Sequence, residues 1–270
     1  RLANACGTDV VFDFRAKDIQ AGGEGAPLAP IYHKAVFDDL GCDLPATIVN
    51  IGGVANVTWY DGGENLIGFD TGPGNALLDD YMRHFFGKDY DPGGELGLKG
   101  EPHELLVESW LDHRFFSLKW PKSLDRRTFH HCLTDSNFLR LDAPDALATL
   151  ASFTAKSISL AIDALPKKPR YLFVSGGGCH NRMLTSLVEL YTGIPLQLGS
   201  GWSNKLPTDM LEAELIAFLA ARYLSGLPSS FPETTGCKHP VCVGRLMISE
   251  DSEETKLDFV GYMSASESGI

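Results

Sequence analysis

The chain has 270 residues, of which 44% are apolar and 21% charged, and its formal net charge at pH 7 is −12. These proportions are ordinary for a soluble globular protein with one large or two modest domains. The acidic excess argues against general nucleic-acid binding, which needs a basic face, but backbone amides and a bound metal ion can still form an ATP phosphate pocket. No apolar run reaches transmembrane length and no signal-peptide pattern begins at Arg1, so a membrane is not expected as a partner. Because of the acidic charge, nucleic acid is not expected as a partner either.

The first half of the chain predicts a strand, a helix and a three-stranded meander. Residues 10–14 are apolar and predict a short strand, and residues 30–40 predict a helix. Three further strands, at 47–51, 56–60 and 66–70, are separated by glycine turns. This spacing is typical of antiparallel neighbours.

The second half predicts helices that alternate with short strands. The clearest helix begins after Asp142 or Pro144 and ends before Pro166, because its apolar residues follow a helical period. A helix at 75–86 is expected to carry Leu77, Leu78, Tyr81 and Phe85 on one side. The other predicted elements are helices at 104–111, 183–191 and 208–224, the last capped by Thr208 or Asp209, and strands at 170–175 and 196–198.

The cysteines and histidines do not predict a metal site. The six cysteines, at positions 6, 42, 132, 179, 237 and 242, include no C-x-x-C pair, and no H-x-x-x-H spacing occurs. We therefore assign no metal-ligating residues. Dispersed free thiols are typical of a cytosolic protein.

Three glycine-rich turns are the strongest functional signal. They are Gly52-Gly53, Gly72-Pro73-Gly74 followed by Asn75, and Gly176-Gly177-Gly178. The first and third follow apolar runs, 46–49 and 171–174, that are typical of buried strands. Glycine lets the backbone approach a ligand closely and exposes N–H groups to an anion. Three such turns, one beside an acidic residue, indicate a nucleotide phosphate site.

Asp70 is the leading candidate for chemistry, because it lies at a predicted strand end beside the second turn. A carboxylate there is suited to act as a general base or to hold Mg²⁺ through water. The structural alternative is that its side chain caps the following turn. The surrounding Gly-Pro-Gly is expected to expose the site, which favours the functional interpretation.

The other two turns also have structural alternatives. Gly52-Gly53 fits a plain hairpin, and the nearby Asn50 is suited to donate to a phosphate but is also common in turns. The triple glycine is suited to pack against a base or ribose, or to present N–H groups at a helix start. It equally fits a tight strand-to-helix connection. It lacks the G-x-G-x-x-G pattern, which disfavours a Rossmann site.

Charged residues outside the turns are weaker candidates. Lys122 and Ser123, with Arg126 close by, are suited to an anionic substrate group, although a lone basic loop is more often solvated. Arg15 and Asp18, beside another glycine-rich loop, present the same choice.

Glu212 and Glu214 lie on the predicted helix 208–224. Residues at i and i+2 do not share a helix face, so one is free to point into a site while the other points into water. Most helix glutamates are solvated. No G-x-S-x-G motif supports a serine hydrolase.

In combination, these motifs resemble those of the anhydro-N-acetylmuramic acid kinases. The resemblance covers roughly residues 1 to 246 in order and is carried by the segments 13–15, 22–28, 50–53, 68–75, 121–123, 176–178 and 209–213. It implies an α/β fold of the actin/hexokinase/Hsp70-like class, with two ribonuclease-H-like lobes and ATP in the cleft between them.

The same resemblance implies a division of the chain. Residues 46–246 are expected to form the complete second lobe, 1–45 a remnant of the first lobe with the crossing segment, and 247–270 a polar tail. The family begins with a glycine-rich hairpin that holds ATP phosphates, and nothing like it precedes Asp13. We therefore expect that about 100 residues, an ordinary domain's worth, belong upstream and that the first lobe is truncated here.

The activity that the resemblance implies is ring opening of 1,6-anhydro-N-acetylmuramic acid by water with phosphorylation of O6 from ATP. The product is N-acetylmuramic acid 6-phosphate, the cofactors are ATP and Mg²⁺, and the setting is cell-wall recycling in the bacterial cytoplasm. One alternative is a non-catalytic sugar- or nucleotide-binding protein on the same fold. The other is a different sugar or acetate kinase. Both a monomer and a homodimer remain open.

Individual roles follow from the matched motifs. Asp70 resembles the base that activates water at the anomeric carbon, and Glu212 resembles a second active-site acid. The expected nucleotide-binding residues are Asn50, Gly52, Gly53, Gly176, Gly177, Gly178 and Asn181. The expected sugar-binding residues are Arg15, Asp18, Gly72, Pro73, Gly74, Asn75, Lys122 and Ser123.

Overall fold

A computed structural model describes residues 1–198 and 211–249 of the chain. Its strands are β1 (Val10–Phe12), β2 (Ala46–Ile51), β3 (Val54–Tyr60), β4 (Leu66–Pro73), β5 (Leu172–Ser175), β6 (Leu196–Leu198) and β7 (Arg245–Met247). Its α-helices are α1 (Leu2–Cys6), α2 (Ala16–Gln20), α3 (Pro30–Leu40), α4 (Ala76–Phe86), α5 (Glu104–Leu111), α6 (Ala143–Asp163), α7 (Arg182–Thr192), α8 (Leu211–Leu224) and α9 (Pro232–Thr235). The predicted start of α8 and its caps, Thr208 and Asp209, lie outside the described residues.

A five-stranded sheet with the order β4-β3-β2-β5-β6 forms the centre of the fold. The pairs β2–β3 and β3–β4 are antiparallel, so the predicted meander is confirmed. The pairs β2–β5 and β5–β6 are parallel, and helices connect β4 to β5 and β5 to β6. An antiparallel meander followed by two parallel strands in this order is the sheet of a ribonuclease-H-like lobe, as expected.

Strand β2 is buried on both faces because helices cover the sheet from both sides. Val49 and Ile51 belong to the larger core, which includes α4, α5, α6 and α7. Ile48, directly before Val49 in sequence, belongs to a smaller core with α3 and α8. Alternate residues of a strand point to opposite faces, which explains the continuous apolar run.

Helix α6 supports the sheet along the strand ends that carry the glycine turns. Its N-cap is Asp142, whose carboxylate accepts from the Asp145 N–H at 3.0 Å, so the predicted start is confirmed. Its Ser157 lies against Gly72, and Thr154 Oγ1 donates to Gly74 O at 3.1 Å. These contacts with α6 fix the position of the second glycine turn, Gly72-Pro73-Gly74.

The structure corrects two local predictions. Strand β4 continues to Pro73, so Asp70 lies inside the strand rather than at its end. The register between β3 and β4 shifts beside Asn56, which leaves Thr71 as an extra residue whose hydroxyl donates to Ala55 O at 3.2 Å. On α4, Phe85 is 47% exposed, because the helix turns Met82 into the core instead.

The ends of the described chain meet in a separate two-stranded sheet. The predicted strand 10–14 is present as β1 and pairs antiparallel with β7, from Val10 opposite Met247 to Phe12 opposite Arg245. The β7 strand falls across the predicted start of the polar tail, and residues 250–270 of that tail lie outside the described part. The division of the chain into lobes stays a prediction.

Candidate active site

Asp70 is held from two sides by the backbone of the 121–124 loop. Its N–H donates to Lys122 O at 3.0 Å, and its carboxylate Oδ2 accepts from the Leu124 N–H at 2.8 Å. The side chain is only 8% exposed. Burial raises the pKa of Asp70 to about 6, although the Leu124 N–H and the charges of Arg15 and Lys122 oppose the rise. A carboxyl with such a pKa can exchange a proton near neutral pH.

Asp18 holds the glycine-rich loop that begins at Gly22. The Asp18 side chain is 0% exposed, and its two oxygens accept from the Gly25 N–H at 2.7 Å and from Thr235 Oγ1 at 2.6 Å. A Cβ at Gly23 would lie 2.3 Å from Asp18 Oδ2, so the loop closes tightly over the carboxylate. Asp18 therefore organises the loop from within, and direct contact with a sugar stays a prediction.

Two more predicted sugar-binding residues, Arg15 and Ser123, contact the loop that begins at Gly22. Arg15 Nε donates to Gly25 O at 2.9 Å, and the charge of Arg15 opposes the rise that burial causes in the pKa of Asp70. Ser123 Oγ lies 3.5 Å from Glu24 Oε2, so the two loops meet at their polar side chains. The structure thus brings Arg15, Ser123 and Asp70 to one place.

The Lys122 ammonium is turned towards protein. Its Nζ donates to Phe115 O at 3.1 Å and lies 4.4 Å from the centroid of the Phe115 ring. Burial lowers the pKa of Lys122, while the Asp70 carboxylate opposes that change. In this arrangement Lys122 balances the charge of Asp70, and its role as an anion ligand stays a prediction.

The Gly52–Gly53 hairpin joins β2 to β3 and is pressed against the second turn. Asn75 N–H donates to Gly52 O at 2.7 Å and Gly74 N–H to Gly53 O at 3.0 Å. A Cβ at Gly74 would lie 2.1 Å from Gly52 O, so only glycine permits this approach. A Cβ at Gly52 or Gly53 would meet nothing closer than 3.6 Å, and Gly53 is exposed. The hairpin thus has room for a ligand on its outer side.

Gly72, Pro73 and Gly74 are all buried, and Asp70 is only 8% exposed, so the expectation that this stretch exposes the site is wrong. A Cβ at Gly72 would lie 2.4 Å from Ser157 Oγ, and Pro73 pairs with Val54 within the sheet. These residues shape the site from beneath, and their predicted contact with the sugar is untested.

The triple glycine divides into two packing positions and one open position. Gly176 has φ of 79° and fits only as glycine, because a Cβ would lie 2.6 Å from Asn50 Oδ1. A Cβ at Gly178 would lie 2.4 Å from Ile51 Cγ2. At Gly177 the nearest atom would be Asn75 Nδ2 at 3.5 Å. Gly177 is therefore the member of the turn that a ligand can touch.

A cavity of about 320 Å³ opens beside Gly177, a volume within the range of small-molecule sites. It brings together Gly177 and Asn181, expected at the nucleotide, and Asn75, expected at the sugar. Asn181 also accepts from the Leu184 N–H at 3.1 Å and so begins α7. The lining residues are Asn75, Leu78, Asp79, Tyr90, Asp91, Gly93, Gly177, His180 and Asn181.

Sequence reasoning missed Asp79, Tyr90 and Asp91 in this cavity. Asp79 follows Asn75 by four residues and therefore lies on the same helix face. This spacing is the sequence signal that indicates Asp79 as a neighbour of Asn75. Burial raises the pKa of Asp79 to about 6. Tyr90 and Asp91 reach the cavity from the loop after α4, which no local pattern indicates.

The two glutamates of α8 have different surroundings, as their spacing predicts. Glu214 accepts a hydrogen bond from Tyr32 OH, and burial together with this carboxylate raises the pKa of Tyr32. Glu212 is exposed at the start of the described part of the helix. Its catalytic role stays a prediction.

Within residues 1–198 and 211–249 no group of three or more His, Cys, Asp or Glu side chains is arranged to hold a metal ion. In the same ranges no helix combines the length and apolar character that a bilayer crossing needs. None of the six cysteines, which all lie within the described ranges, forms a disulfide.

The hairpin after β2, the turn after β4 and the turn after β5 lie at the same edge of the sheet. A ribonuclease-H-like sheet with glycine turns at this edge defines a lobe of the actin/hexokinase-like class. The sequence model of one family, anhydro-N-acetylmuramic acid kinase, matches residues 1–249. The chain belongs to this family.

Curated relatives agree with the family assignment. An anhydro-N-acetylmuramic acid kinase of Rhizobium rhizogenes is 44% identical over 243 residues, which are 89% of this chain and 63% of the relative. That of Nitrobacter winogradskyi is 45% identical over 248 residues, 90% of this chain and 65% of the relative. The chain thus spans slightly less than two thirds of the length of these relatives.

Solved structures show only distant likeness. The activator of the 2-hydroxyisocaproyl-CoA dehydratase from Clostridium difficile with bound ADPNP has 17% identity and a TM-score of 0.41, over 68% of this chain and 64% of that one. A ligand-bound xylulose kinase from Lactobacillus acidophilus has 12% identity and a TM-score of 0.36, over 87% of this chain and 50% of that one. Scores this low add nothing to the family assignment.

Proposed function

We propose that the protein, at the full length of its relatives, is a sugar kinase that opens the ring of 1,6-anhydro-N-acetylmuramic acid with water and phosphorylates O6 from ATP. The product is N-acetylmuramic acid 6-phosphate, and the role is cell-wall recycling in the bacterial cytoplasm. Family membership over residues 1–249 supports the substrate class. The observation that carries the chemistry is Asp70, buried, fixed by two backbone hydrogen bonds and with a pKa of about 6.

In this proposal Asp70 accepts a proton from the water that attacks the anomeric carbon. The bond between the anomeric carbon and O6 breaks, and its electron pair goes to O6. The O6 oxygen then attacks the γ-phosphorus of ATP, and ADP leaves. The Leu124 N–H keeps the carboxylate aimed at the water, and the frame of Arg15, Gly25 and Ser123 surrounds the sugar.

ATP is assigned to the edge of the sheet that carries the three turns. The nucleoside occupies the cavity beside Gly177 and Asn181, and the phosphates follow along the exposed Gly52–Gly53 hairpin. Mg²⁺ accompanies the phosphates and neutralises part of their charge. The absence of a three-residue acidic or histidine cluster within 1–198 and 211–249 is compatible with this, because Mg²⁺ is commonly held by phosphates, waters and one or two carboxylates.

The test is a substrate panel in a protein extended upstream to the length of the relatives. ATP consumption and product mass are measured with anhydro-N-acetylmuramic acid, with N-acetylglucosamine and with acetate. We expect turnover with the anhydro sugar alone and a product that gains both water and a phosphoryl group. Turnover with acetate or with another sugar instead assigns a different kinase, and binding without turnover assigns a non-catalytic protein.

A further inference from the structure

Residues 122–124, which hold Asp70, are followed closely by a residue that contacts the Gly52–Gly53 hairpin, where the phosphates are proposed to bind. Lys122 and Leu124 make the two backbone hydrogen bonds to Asp70, and Arg126 follows two residues later. A Cβ at Gly53 would lie 3.6 Å from both Cδ and Nε of Arg126. Residues 122–126 therefore connect the proposed base with the exposed hairpin.

Asp80 of α4 holds the guanidinium of Arg126 in place. Its Oδ1 accepts from Arg126 Nη2 at 3.2 Å and from Arg83 Nη1 at 2.8 Å, and its Oδ2 lies 3.0 Å from His130 Nε2. The Arg126 side chain is nevertheless 53% exposed. The ion pair uses Nη2, while the Nε side faces Gly53.

The surroundings of this arginine are rich in positive charge. A cavity of about 510 Å³ is lined by three arginines, one histidine and only two aspartates, in a chain whose formal net charge is −12. A local excess of cations in an acidic protein favours an anionic ligand. The lining residues are Asp80, Arg83, Asp125, Arg126, Arg127 and His130.

We propose that Arg126 is a further catalytic residue, which contacts the terminal phosphate of the nucleotide at the Gly52–Gly53 hairpin and stabilises its charge during transfer. The inference rests on the proposed function for the identity of the anion. The hairpin contacts both Asn75, which lines the nucleoside cavity, and Arg126, which is two residues beyond the Leu124 that holds Asp70. In the proposed reaction the phosphoryl group moves from ATP to O6, and the hairpin is therefore expected along its path.

Arginine suits this place for chemical reasons. Its planar guanidinium offers several fixed donors to phosphate oxygens, and an arginine on the transferred group is a recurrent source of charge stabilisation in phosphoryl transfer. A purely structural role is the alternative, but an exposed ion pair such as Arg126–Asp80 contributes little to stability.

The test compares Arg126→Ala and Arg126→Lys with Arg140→Ala, a control that removes the same charge at an exposed position that does not line this cavity. Dissociation constants for ATP and ADP are measured by calorimetry, and kcat with the anhydro sugar by coupled assay, all in the extended protein. For Arg126→Ala we expect ATP affinity to fall about tenfold or more, ADP affinity to stay within about a factor of two, and kcat to fall about 10²-fold or more. Arg126→Lys restores part of kcat, because it returns the charge without the planar fork.

Equal losses for ATP and ADP, or a kcat within about threefold of the parent, would overturn the assignment. Thermal melting of each variant separates loss of fold from loss of contact, and Arg140→Ala is expected to match the parent in all three measurements. If the parent binds ATP but does not phosphorylate the anhydro sugar, the proposed function fails while the ATP-to-ADP contrast still decides the contact made by Arg126. A parent that binds neither nucleotide rejects both.

Discussion

Asp70 shows how a single carboxyl obtains its properties from residues far away in sequence. The fold buries it, the Leu124 N–H donates a hydrogen bond to it, and Arg15 and Lys122 supply opposing charge. Burial dominates, so the proton is held more tightly than by an exposed aspartate. The residue is thereby suited to take a proton from water at near-neutral pH and to release it afterwards.

The substitution Asp70→Asn is expected to remove sugar phosphorylation and leave nucleotide binding intact. Asparagine keeps the shape and still accepts from the Leu124 N–H, but it is not a base. We expect kcat to fall about 10²–10⁴-fold or more, the usual contribution of general base catalysis. The measurement is sugar-dependent ATP turnover in the extended protein, with calorimetry of ATP binding as the control. Turnover within about a factor of three of the parent would exclude Asp70 as the base.

The pH dependence of kcat/KM gives a second prediction at this scale. Asp70 must be ionised to act as a base, so activity is lost as the pH falls through its pKa of about 6, by about tenfold per pH unit below it. The variant Lys122→Met removes an opposing positive charge, so it raises the pKa of Asp70 and moves this limb to higher pH. The measurement is the profile between about pH 5 and 8 in both proteins. A profile that is flat in the parent, or that Lys122→Met leaves unmoved, contradicts the assignment.

At the scale of elements, local sequence patterns predict most of the strands and helices that flank the three glycine turns. The meander, the α6 cap at Asp142 and the strand before the triple glycine all arise from apolar periodicity and turn residues a few positions apart. The end of β4 was placed too early, because Gly72 and Pro73 are turn-forming residues by local preference. Pairing with β3 and packing on α6 override that preference.

The triple glycine offers a matched pair of substitutions. Gly177→Val places a branched side chain where only Asn75 Nδ2 is near, so we expect weaker ATP binding with little change in sugar binding or thermal melting. Gly178→Ala drives a methyl group into Ile51 Cγ2, so we expect a lower melting temperature. Calorimetry with each ligand and thermal melting of both variants decide the matter. Equal losses of ATP and sugar binding in Gly177→Val would leave the turn a structural feature only.

At the scale of the whole molecule, the chain spans 63–65% of the length of the two relatives described above. The family resemblance implies an upstream glycine-rich hairpin that encloses the ATP phosphates opposite Gly52 and Gly53. Without those donors the phosphates are less stabilised and water is less well excluded.

We therefore expect this chain alone to bind ATP weakly and to turn over negligibly, while a protein extended to the length of the relatives is active and melts at a higher temperature. The measurements are ATP turnover with the anhydro sugar and thermal melting of the two proteins side by side. Equal activity in both would show that the upstream segment is dispensable and that the proposed assignment of lobes is wrong.

The sequence by itself determined the order of the elements, the three turns and the acid beside the second turn. These features depend on neighbouring residues, since periodicity, glycine and proline act within a few positions. The tertiary structure alone decided the burial of Asp70 and the hydrogen bond by which Asp18 holds Gly25. It also decided the cavity that Asn75 and Gly177 share, and the approach of Arg126 to Gly53. Each of these depends on segments that are distant in sequence and meet only when the sheet and its helices pack. Burial and charge act through space, so the chemistry of the site emerges at that level.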